Sequence, residues 1–275
     1  MESRPLGNTG ETIPRIGQGT WKVRDHARAT AAIEEGIRLG LTHIDTAELY
    51  EQGTKSETML GPIVHKHRSK IFLASKVLPQ NATARGVPSA CKDSMVRLQT
   101  DQIDLYYHHW RGRPPLSETL HALADLVDKG WVRHIGVSNY DVSDLEEAVG
   151  ILGKGRIVAN QVLHHLEDRG AEDEVVPWCK TNGVTVVGYS PFGSGPFVRR
   201  PHAQRKLGQV ADALGKTPRQ VALAFLTRQT HVVTIPKAES IEHVRENAGG
   251  TFDLPKDAIE QIEQAFPVKA GLRDL

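Results

Sequence analysis

The sequence of 275 residues contains little cysteine, little net charge and no long apolar run. Cys91 and Cys179 lie far apart, each in a helix-like segment, and two buried thiols explain them better than a disulfide. A net charge of +1 excludes a global electrostatic field that would recruit nucleic acid or an anionic membrane. The first residues lack the apolar core of a signal peptide, and no apolar run approaches the length of a membrane span. We therefore expect a cytoplasmic protein that binds neither nucleic acid nor membranes.

The glycine loop of an open, doubly wound nucleotide-binding sheet is absent as well. The segment Gly17-Gln18-Gly19 begins the pattern G-x-G-x-x-G, but Thr, Trp and Lys follow, with no third glycine and no start of a helix. This absence makes the open sheet the second choice of architecture.

What is present is an ordinary globular composition, with 39% hydrophobic and 24% charged residues. Short β-rich segments alternate with amphipathic helical segments, in the rhythm of one strand, one helix and two loops. No linker divides the chain. We predict one domain over residues 1–275, an α/β fold that closes into a (β/α)8 TIM barrel. The predicted strands are 16–20, 42–45, 71–76, 103–109, 132–138, 157–162, 184–190 and 232–236.

The helical segments show apolar residues on one face and glycine at the end. Residues 27–40 end at Gly40, and residues 117–130 end at Gly130, with Ser117 as the expected N-cap. The apolar positions that carry the helical spacing are Ala31, Ile33, Ile37 and Leu39 in the first segment, and Leu120, Leu123, Leu126 and Val127 in the second.

Three segments fall outside the repeating units. Residues 5–14 are expected to form an N-terminal β-hairpin that turns at Asn8-Thr9-Gly10. Residues 203–215 and 255–266 are expected to be two extra helices, the first inserted in a long gap between strands and the second appended at the end.

In a barrel of this kind the chemistry lies at the carboxyl ends of the strands. Four side chains near those ends make a coherent set: Asp45, Tyr50, Lys76 and His109. A cationic Lys76 is expected to lower the pKa of the Tyr50 phenol, and Asp45 to keep the lysine charged. An imidazole N–H of His109 would orient an oxygen near the same phenol. Together they would protonate a carbonyl oxygen while a cofactor supplies the attacking group.

Ordered motifs over nearly the whole chain extend this pattern. They are GQGTW (17–21), IDTAELY (44–50), ASK (74–76), DLYYHHW (104–110), GVSNY (136–140), NQV (160–162), GYSPF (188–192) and IPKAESIEHVREN (235–247). With them the chain resembles the aldo-keto reductases, and most closely the short prokaryotic members that reduce methylglyoxal and other 2-oxoaldehydes. The resemblance implies reduction of small aldehydes and ketones by NADPH, bound extended across the barrel mouth, with NADH as a weaker alternative and a monomer as the working form.

The resemblance also implies a role for each site residue. Tyr50 is the expected general acid, Lys76 and Asp45 tune it, and His109 orients the carbonyl. His108 points to the other face of the strand and is expected to pack against a helix. The expected substrate-pocket residues are Trp21, Tyr50, His109 and Trp110. The expected cofactor-binding residues are Gly19, Thr20, Trp21, Asp45, Ser138, Asn139, Gln161, Tyr189, Ser190, Pro191, Phe192, Gly193, Ser194, Ile235, Pro236, Lys237, Ala238, Ser240, His243, Glu246 and Asn247.

Within that set, Ser138, Asn139 and Gln161 would hydrogen-bond the nicotinamide amide, and Tyr189 would stack on its ring. Lys237 would meet the 2′-phosphate of the cofactor. Glu246 and Asn247 would read the adenine.

Two departures from the family pattern change the expectations. Many members carry an arginine for the 2′-phosphate where this chain has His243, and a serine where it has Ala238. Because a neutral imidazole cannot make a bidentate phosphate contact, we expect a weaker preference for NADPH over NADH. The chain ends soon after the last predicted helix, at VKAGLRDL (268–275), so we expect an open substrate pocket with little steric selection.

Two other functions use the same residues differently. A non-catalytic NADPH sensor on this fold would need only the cofactor residues, whereas this chain also carries the four catalytic ones. A metal-dependent barrel hydrolase would use histidines at strand ends, but adjacent histidines point to opposite faces of a strand, so we expect no metal site. The histidines concerned are His43, His108, His109, His164 and His165.

Overall fold

The computed structural model describes residues 1–269 and 271, and parallel strands form its centre. The chain begins with an antiparallel hairpin of β1 (Ser3–Pro5) and β2 (Thr12–Pro14). Eight parallel strands follow and pair in chain order from β3 to β10. They are β3 (Gln18–Gly19), β4 (His43–Asp45), β5 (Phe72–Val77), β6 (Ile103–His108), β7 (Val132–Ser138), β8 (Ile157–Leu163), β9 (Thr185–Tyr189) and β10 (Val232–Ile235). Each predicted strand is confirmed, with ends that differ by a few residues.

The sheet closes because its first and last strands meet. Parallel bridges join Ile16 to Thr234 and Gly19 to Lys237, and the Gly19 N–H donates to the Pro236 carbonyl at 3.2 Å. A Cβ on Gly19 would lie 2.7 Å from the Ile235 carbonyl oxygen, so only glycine lets the backbones approach this closely. The closed (β/α)8 barrel is therefore confirmed, and the open doubly wound sheet is excluded.

Helices surround the barrel. They are α1 (His26–Arg38), α2 (Glu48–Glu51), α3 (Ser56–His67), α4 (Gly86–Leu98), α5 (Leu116–Asp128), α6 (Val142–Leu152), α7 (Val175–Asn182), α8 (Pro201–Leu214), α9 (Pro218–Leu226), α10 (Ile241–Ala248) and α11 (Lys256–Ala265). The two predicted extra helices correspond to α8 and α11. Leu207 of α8 and Ile262 of α11 belong to one apolar cluster that also contains Phe225 of α9.

Two details of the helix predictions are wrong. Helix α5 begins at Leu116 after Pro115, so Ser117 lies inside the first turn and does not cap it. Ala31 is exposed, whereas Ala32 and Ile33 are among the residues that α1 buries. In both cases the predicted position is wrong by one residue, and helical periodicity alone does not fix a position more closely than that.

The barrel interior is filled by alternate side chains of the strands. Leu105, Tyr107 and Val187 pack there, and Leu6 and Ile13 of the hairpin join the same cluster. The remaining side chains of the strands pack outward against the helices. Cys91 and Cys179 are buried free thiols, as predicted. Within the described ranges, no helix has the length and apolarity required to cross a membrane.

Candidate active site

A buried ion pair lies at the carboxyl ends of β4 and β5. The Lys76 ammonium donates to Asp45 Oδ1 at 2.6 Å and to the Thr46 carbonyl at 2.8 Å. The Gln161 amide donates to the other carboxylate oxygen, Asp45 Oδ2, at 2.8 Å. Lys76 is 0% exposed and Asp45 is 1% exposed. Since both charges have partners, the pair can remain ionised without contact with water.

Tyr50 lies in the short helix α2, which the chain forms directly after β4. The Lys76 ammonium is 5.3 Å from the centre of the Tyr50 ring, and the His109 ring lies edge-on to it at 6.0 Å. Among the described residues, no hydrogen bond joins Lys76 or His109 to the Tyr50 hydroxyl. The four side chains predicted for the chemistry are therefore neighbours: Lys76 and His109 lie against the Tyr50 ring, and Asp45 is bound to Lys76.

The pKa of Tyr50 differs from the prediction. Burial raises the pKa of this phenol well above 10, and the Asp45 carboxylate and Tyr189 raise it further. The predicted lowering by Lys76 is wrong for this arrangement, because burial disfavours the charged phenolate and the nearby Asp45 carboxylate disfavours it as well. Burial in turn lowers the pKa of Lys76, and the interaction with Asp45 opposes that effect. The phenol is thus protonated at neutral pH, which is the form a general acid requires.

His109 is a neutral imidazole. Burial, with the charge of Lys76 and the neighbouring His108 adding to it, lowers the pKa of His109 to about 2. Within the described chain its Nδ1 has no hydrogen-bond partner although it is buried. The Trp110 ring lies 4.5 Å away between centres. His108 points away from this group, and its Nδ1 lies 2.8 Å from the Tyr140 hydroxyl.

A frame of amide and hydroxyl groups lies beside His109. Asn139 has a left-handed backbone with φ of 61°, and its amide donates to the His109 carbonyl and to Ser138 Oγ, each at 3.1 Å. The side-chain oxygen of Asn139, Oδ1, accepts from the Tyr189 hydroxyl at 3.0 Å. The Asn139 backbone N–H donates to the Gln161 carbonyl at 2.8 Å. Residues that the resemblance assigns to the nicotinamide therefore hold one another in place.

A groove of about 480 Å³ leads away from the barrel mouth. Its side chains include four cations, one carboxylate and two phenylalanines, a composition that suits the phosphates and ribose of an extended dinucleotide. It is lined by Trp21, Lys22, Arg24, Ser190, Pro191, Phe192, Gly193, Ser194, Gly195, Phe197, Arg219, Lys237 and Glu239.

Comparison with known proteins agrees with this site. The family model described as the aldo/keto reductase family matches residues 15–266. The chain belongs to the aldo/keto reductase family. It is 37% identical over 278 residues to methylglyoxal reductase YeaE of Escherichia coli, and the match covers 98% of each protein. It is 32% identical over 262 residues to glyoxal reductase of Bacillus subtilis, covering 93% of this chain and 90% of that protein.

A solved structure shows the same family fold. The crystal structure of an aldo/keto reductase from Klebsiella pneumoniae in complex with NADP and acetate matches with a TM-score of 0.92 and 36% sequence identity, over 100% of both chains. The predicted family and fold are thereby confirmed.

Other predicted cofactor residues of this aldo/keto reductase are not part of the groove lining. Thr20 is buried and donates to the Asp45 carbonyl at 3.0 Å, which links β3 to β4. Ser240 caps α10 by accepting from the His243 N–H at 3.3 Å. The Glu246 carboxylate lies 3.8 Å from the Arg219 guanidinium. Ile235 ends β10, Pro236 and Ala238 follow it, and Asn247 is buried in α10.

The sequence did not point to Lys22, Arg24, Phe197, Arg219 and Glu239, although all of them line the groove. Glu239 carried a local signal, an acidic residue two positions after the lysine of the IPK motif. Arg219 carried none, because α9 meets the groove only through the tertiary fold.

Three further features bear on the site: the histidines considered as metal ligands, the loop after β6 and the C-terminal segment. In the part of the chain that the structure describes, no group of three His, Cys, Asp or Glu side chains could hold a metal ion. Arg111, in the loop after β6, donates to Asp144 and Glu147 of α6, each at 2.8 Å. The expectation for the C-terminal segment concerns residues 268–275, of which 270 and 272–275 lie outside the described residues.

Proposed function

We propose that this family member is an NADPH-dependent carbonyl reductase in which Tyr50 is the general acid. The observation that carries the proposal is the position of the Tyr50 ring, which lies 5.3 Å from the ammonium of the buried Lys76–Asp45 ion pair and 6.0 Å from the ring of His109. A carbonyl oxygen bound there would face one proton donor and one imidazole, in a site that excludes much of the water.

NADPH, when bound, supplies the hydride that the carbonyl carbon receives. Ser138, Asn139 and Gln161 would hold its amide, with Tyr189 against the nicotinamide ring. The loop 190–194 and Arg219 would face its phosphates, and Lys237 its 2′-phosphate. Glu246 and Asn247 would contact the adenine. The Klebsiella aldo/keto reductase, which has the same fold and was solved in complex with NADP, supports this assignment.

The chain's own groups have separate tasks in the reaction. His109, neutral at working pH, would orient the carbonyl oxygen through an N–H. Tyr50 would give its proton to that oxygen as negative charge develops on it. The phenolate that remains would be stabilised by the Lys76 ammonium nearby, and Asp45 keeps that ammonium charged and in place.

Small aldehydes, 2-oxoaldehydes and ketones are the proposed substrates. The relatives named for methylglyoxal and glyoxal reduction support this class. Trp21 and Trp110 would form the walls of the substrate pocket. Trp21 is 38% exposed, so the wall it forms is open toward solvent. We further propose that the chain works as a monomeric, cytoplasmic protein made of one barrel domain.

The test compares the wild type with Tyr50→Phe in NADPH oxidation with methylglyoxal. We expect kcat to fall by about 10² to 10⁴, the usual contribution of a positioned general acid. NADPH binding, followed by the change in protein fluorescence, should stay within a factor of two or so, since the phenyl ring remains. A variant with unchanged kcat would refute the role of Tyr50. A wild type that binds NADPH but reduces no carbonyl would favour the sensor.

A further inference from the structure

Lys237, the residue proposed to meet the 2′-phosphate, already has an anionic partner. Its ammonium donates to Glu239 Oε1 at 2.6 Å. The other oxygen of that carboxylate accepts from the Asp25 backbone N–H at 3.1 Å, which fixes the carboxylate against the loop before α1. Both side chains line the groove, with 37% of Lys237 and 21% of Glu239 exposed. The pair is therefore open to a ligand.

The carboxylate is ionised at neutral pH. Partial burial works against ionisation, but the hydrogen bonds from Lys237 and from the Asp25 N–H outweigh it and lower the pKa of Glu239 below 4.5. At this end of the groove the negative charge of Glu239 thus offsets the positive charge of Lys237.

Of the neighbouring basic side chains, Arg24 also lines the groove, next to Asp25, whereas His243 and Arg245 are not part of the lining. His243 is exposed, and its backbone N–H serves the Ser240 cap. The Arg245 guanidinium donates to Glu35 of α1 at 2.8 Å and so faces away from the groove. The Lys22 ammonium lies 4.1 Å from the centre of the Trp21 ring, toward the barrel mouth.

We propose that Glu239 is a specificity-determining residue, which weakens recognition of a ribose 2′-phosphate and accepts a hydrogen bond from a free ribose 2′-hydroxyl. The inference rests on the proposed function and deepens its cofactor assignment. A 2′-phosphate at Lys237 must displace or approach a carboxylate of the same sign, whereas a 2′-hydroxyl can donate to that carboxylate without repulsion. The chain therefore accepts NADH alongside NADPH more readily than the lysine of its IPK motif alone indicates.

The experiment measures binding of two cofactor fragments, adenosine 2′,5′-bisphosphate and ADP, to the full chain by titration calorimetry. In Glu239→Gln we expect the bisphosphate to bind about tenfold more tightly, a change that corresponds to ~1.4 kcal/mol. ADP should bind equally or more weakly. Glu146→Gln, an exposed residue of α6, removes the same charge far from the groove and should change neither affinity. Lys237→Ala should weaken the bisphosphate and leave ADP nearly unchanged.

The outcomes separate the two proposals. If both fragments bind the wild type and Glu239→Gln changes neither, or both equally, the role of Glu239 is refuted while the cofactor site stands. If neither fragment binds the wild type, the cofactor assignment is wrong and the role of Glu239 falls with it. The ratio of kcat/KM values for NADPH and NADH provides the second readout and should rise about tenfold in Glu239→Gln.

Discussion

The Asp45 carboxylate lies 2.6 Å from the Lys76 ammonium, and both groups are shielded from solvent. The carboxylate is shared: its second oxygen accepts the amide of Gln161. A buried charge that loses its partner is costly, so the two residues should behave as one unit in both stability and catalysis.

Replacing both partners should therefore cost less than the sum of the two single replacements. We expect Asp45→Asn and Lys76→Met each to lower the free energy of unfolding by ~3–5 kcal/mol, because each leaves the other charge buried and unpaired. The double variant should lose clearly less than the sum of the two. Urea denaturation of the four proteins measures the coupling, and additive losses would contradict it. The kcat of all three variants should be low, since two of them lack Lys76 and Asp45→Asn removes the carboxylate that keeps the Lys76 ammonium charged and in place.

Acid should destabilise the protein through its buried histidines. Burial lowers the pKa of His43 and of His108 to about 4 and that of His109 to about 2, from an ordinary 6.5. These rings stay neutral in the folded state, so below pH 6.5 the unfolded chain binds protons first. Their contribution to stability is complete above pH 6.5 and declines as the pH falls toward the folded-state values.

Each of these rings should lower the free energy of unfolding by about 1.4 kcal/mol between pH 7.5 and 5.5. His43→Leu should reduce this pH dependence by roughly one histidine's share, whatever it does to stability at pH 7.5. The midpoints of urea denaturation of the wild type and of His43→Leu, each at pH 7.5 and 5.5, measure this difference in pH dependence. An unchanged pH dependence in the variant would mean that His43 titrates normally in the fold.

Arg219 should hold the loop that covers the groove. Its guanidinium lies 5.3 Å from the centre of the Phe192 ring and 5.8 Å from that of Phe197, and the two rings contact each other edge-on at 5.4 Å. We expect Arg219→Ala to accelerate NADPH release and to weaken binding by ~1–2 kcal/mol. Arg219→Lys keeps the charge but loses the planar stacking, so its rate of NADPH release should lie between those of the wild type and Arg219→Ala. Stopped-flow fluorescence measures the release rate; equal rates in all three proteins would show that Arg219 does not hold the loop.

Gly19→Ala should loosen the seam between β3 and β10. The added methyl group meets the Ile235 carbonyl at 2.7 Å, and backbone cannot yield as a side chain can. We expect a loss of ~1–3 kcal/mol in the free energy of unfolding and weaker NADPH binding, because Lys237 is bridged to Gly19. Gly208→Ala is the control: this glycine of α8 has open space around its Cβ position, and the change should stabilise by up to ~1 kcal/mol. Similar losses in both variants would argue against a special role for the seam.

Sequence patterns predicted the strands, the helices and the place of the four catalytic candidates. These features are local, since the alternation of apolar residues sets each strand and the barrel rule sets the position of its end. The order of the motifs then sufficed to identify the family.

The electrostatics could not be predicted in the same way. The raised pKa of Tyr50 depends on how the fold buries the phenol and on how close it brings the Asp45 carboxylate. The contacts of Arg219 with Phe192 and Phe197 join segments that no local pattern connects. Glu239 was visible beside Lys237, but whether its carboxylate faced the lysine or the solvent is decided by the Asp25 N–H, from the other end of the chain.

The groove lies across the line where the barrel closes. Lys22 and Arg24 follow the first barrel strand and Lys237 and Glu239 follow the last, so these two parts of its lining are more than 200 residues apart along the chain. A molecule that contacts both parts bridges the first and last strands of the barrel. It opposes separation of the ends and adds RT ln(1 + [L]/Kd) to the stability of the whole barrel. The free energy of unfolding of the whole barrel would thus rise with the concentration of the nucleotide that occupies the groove.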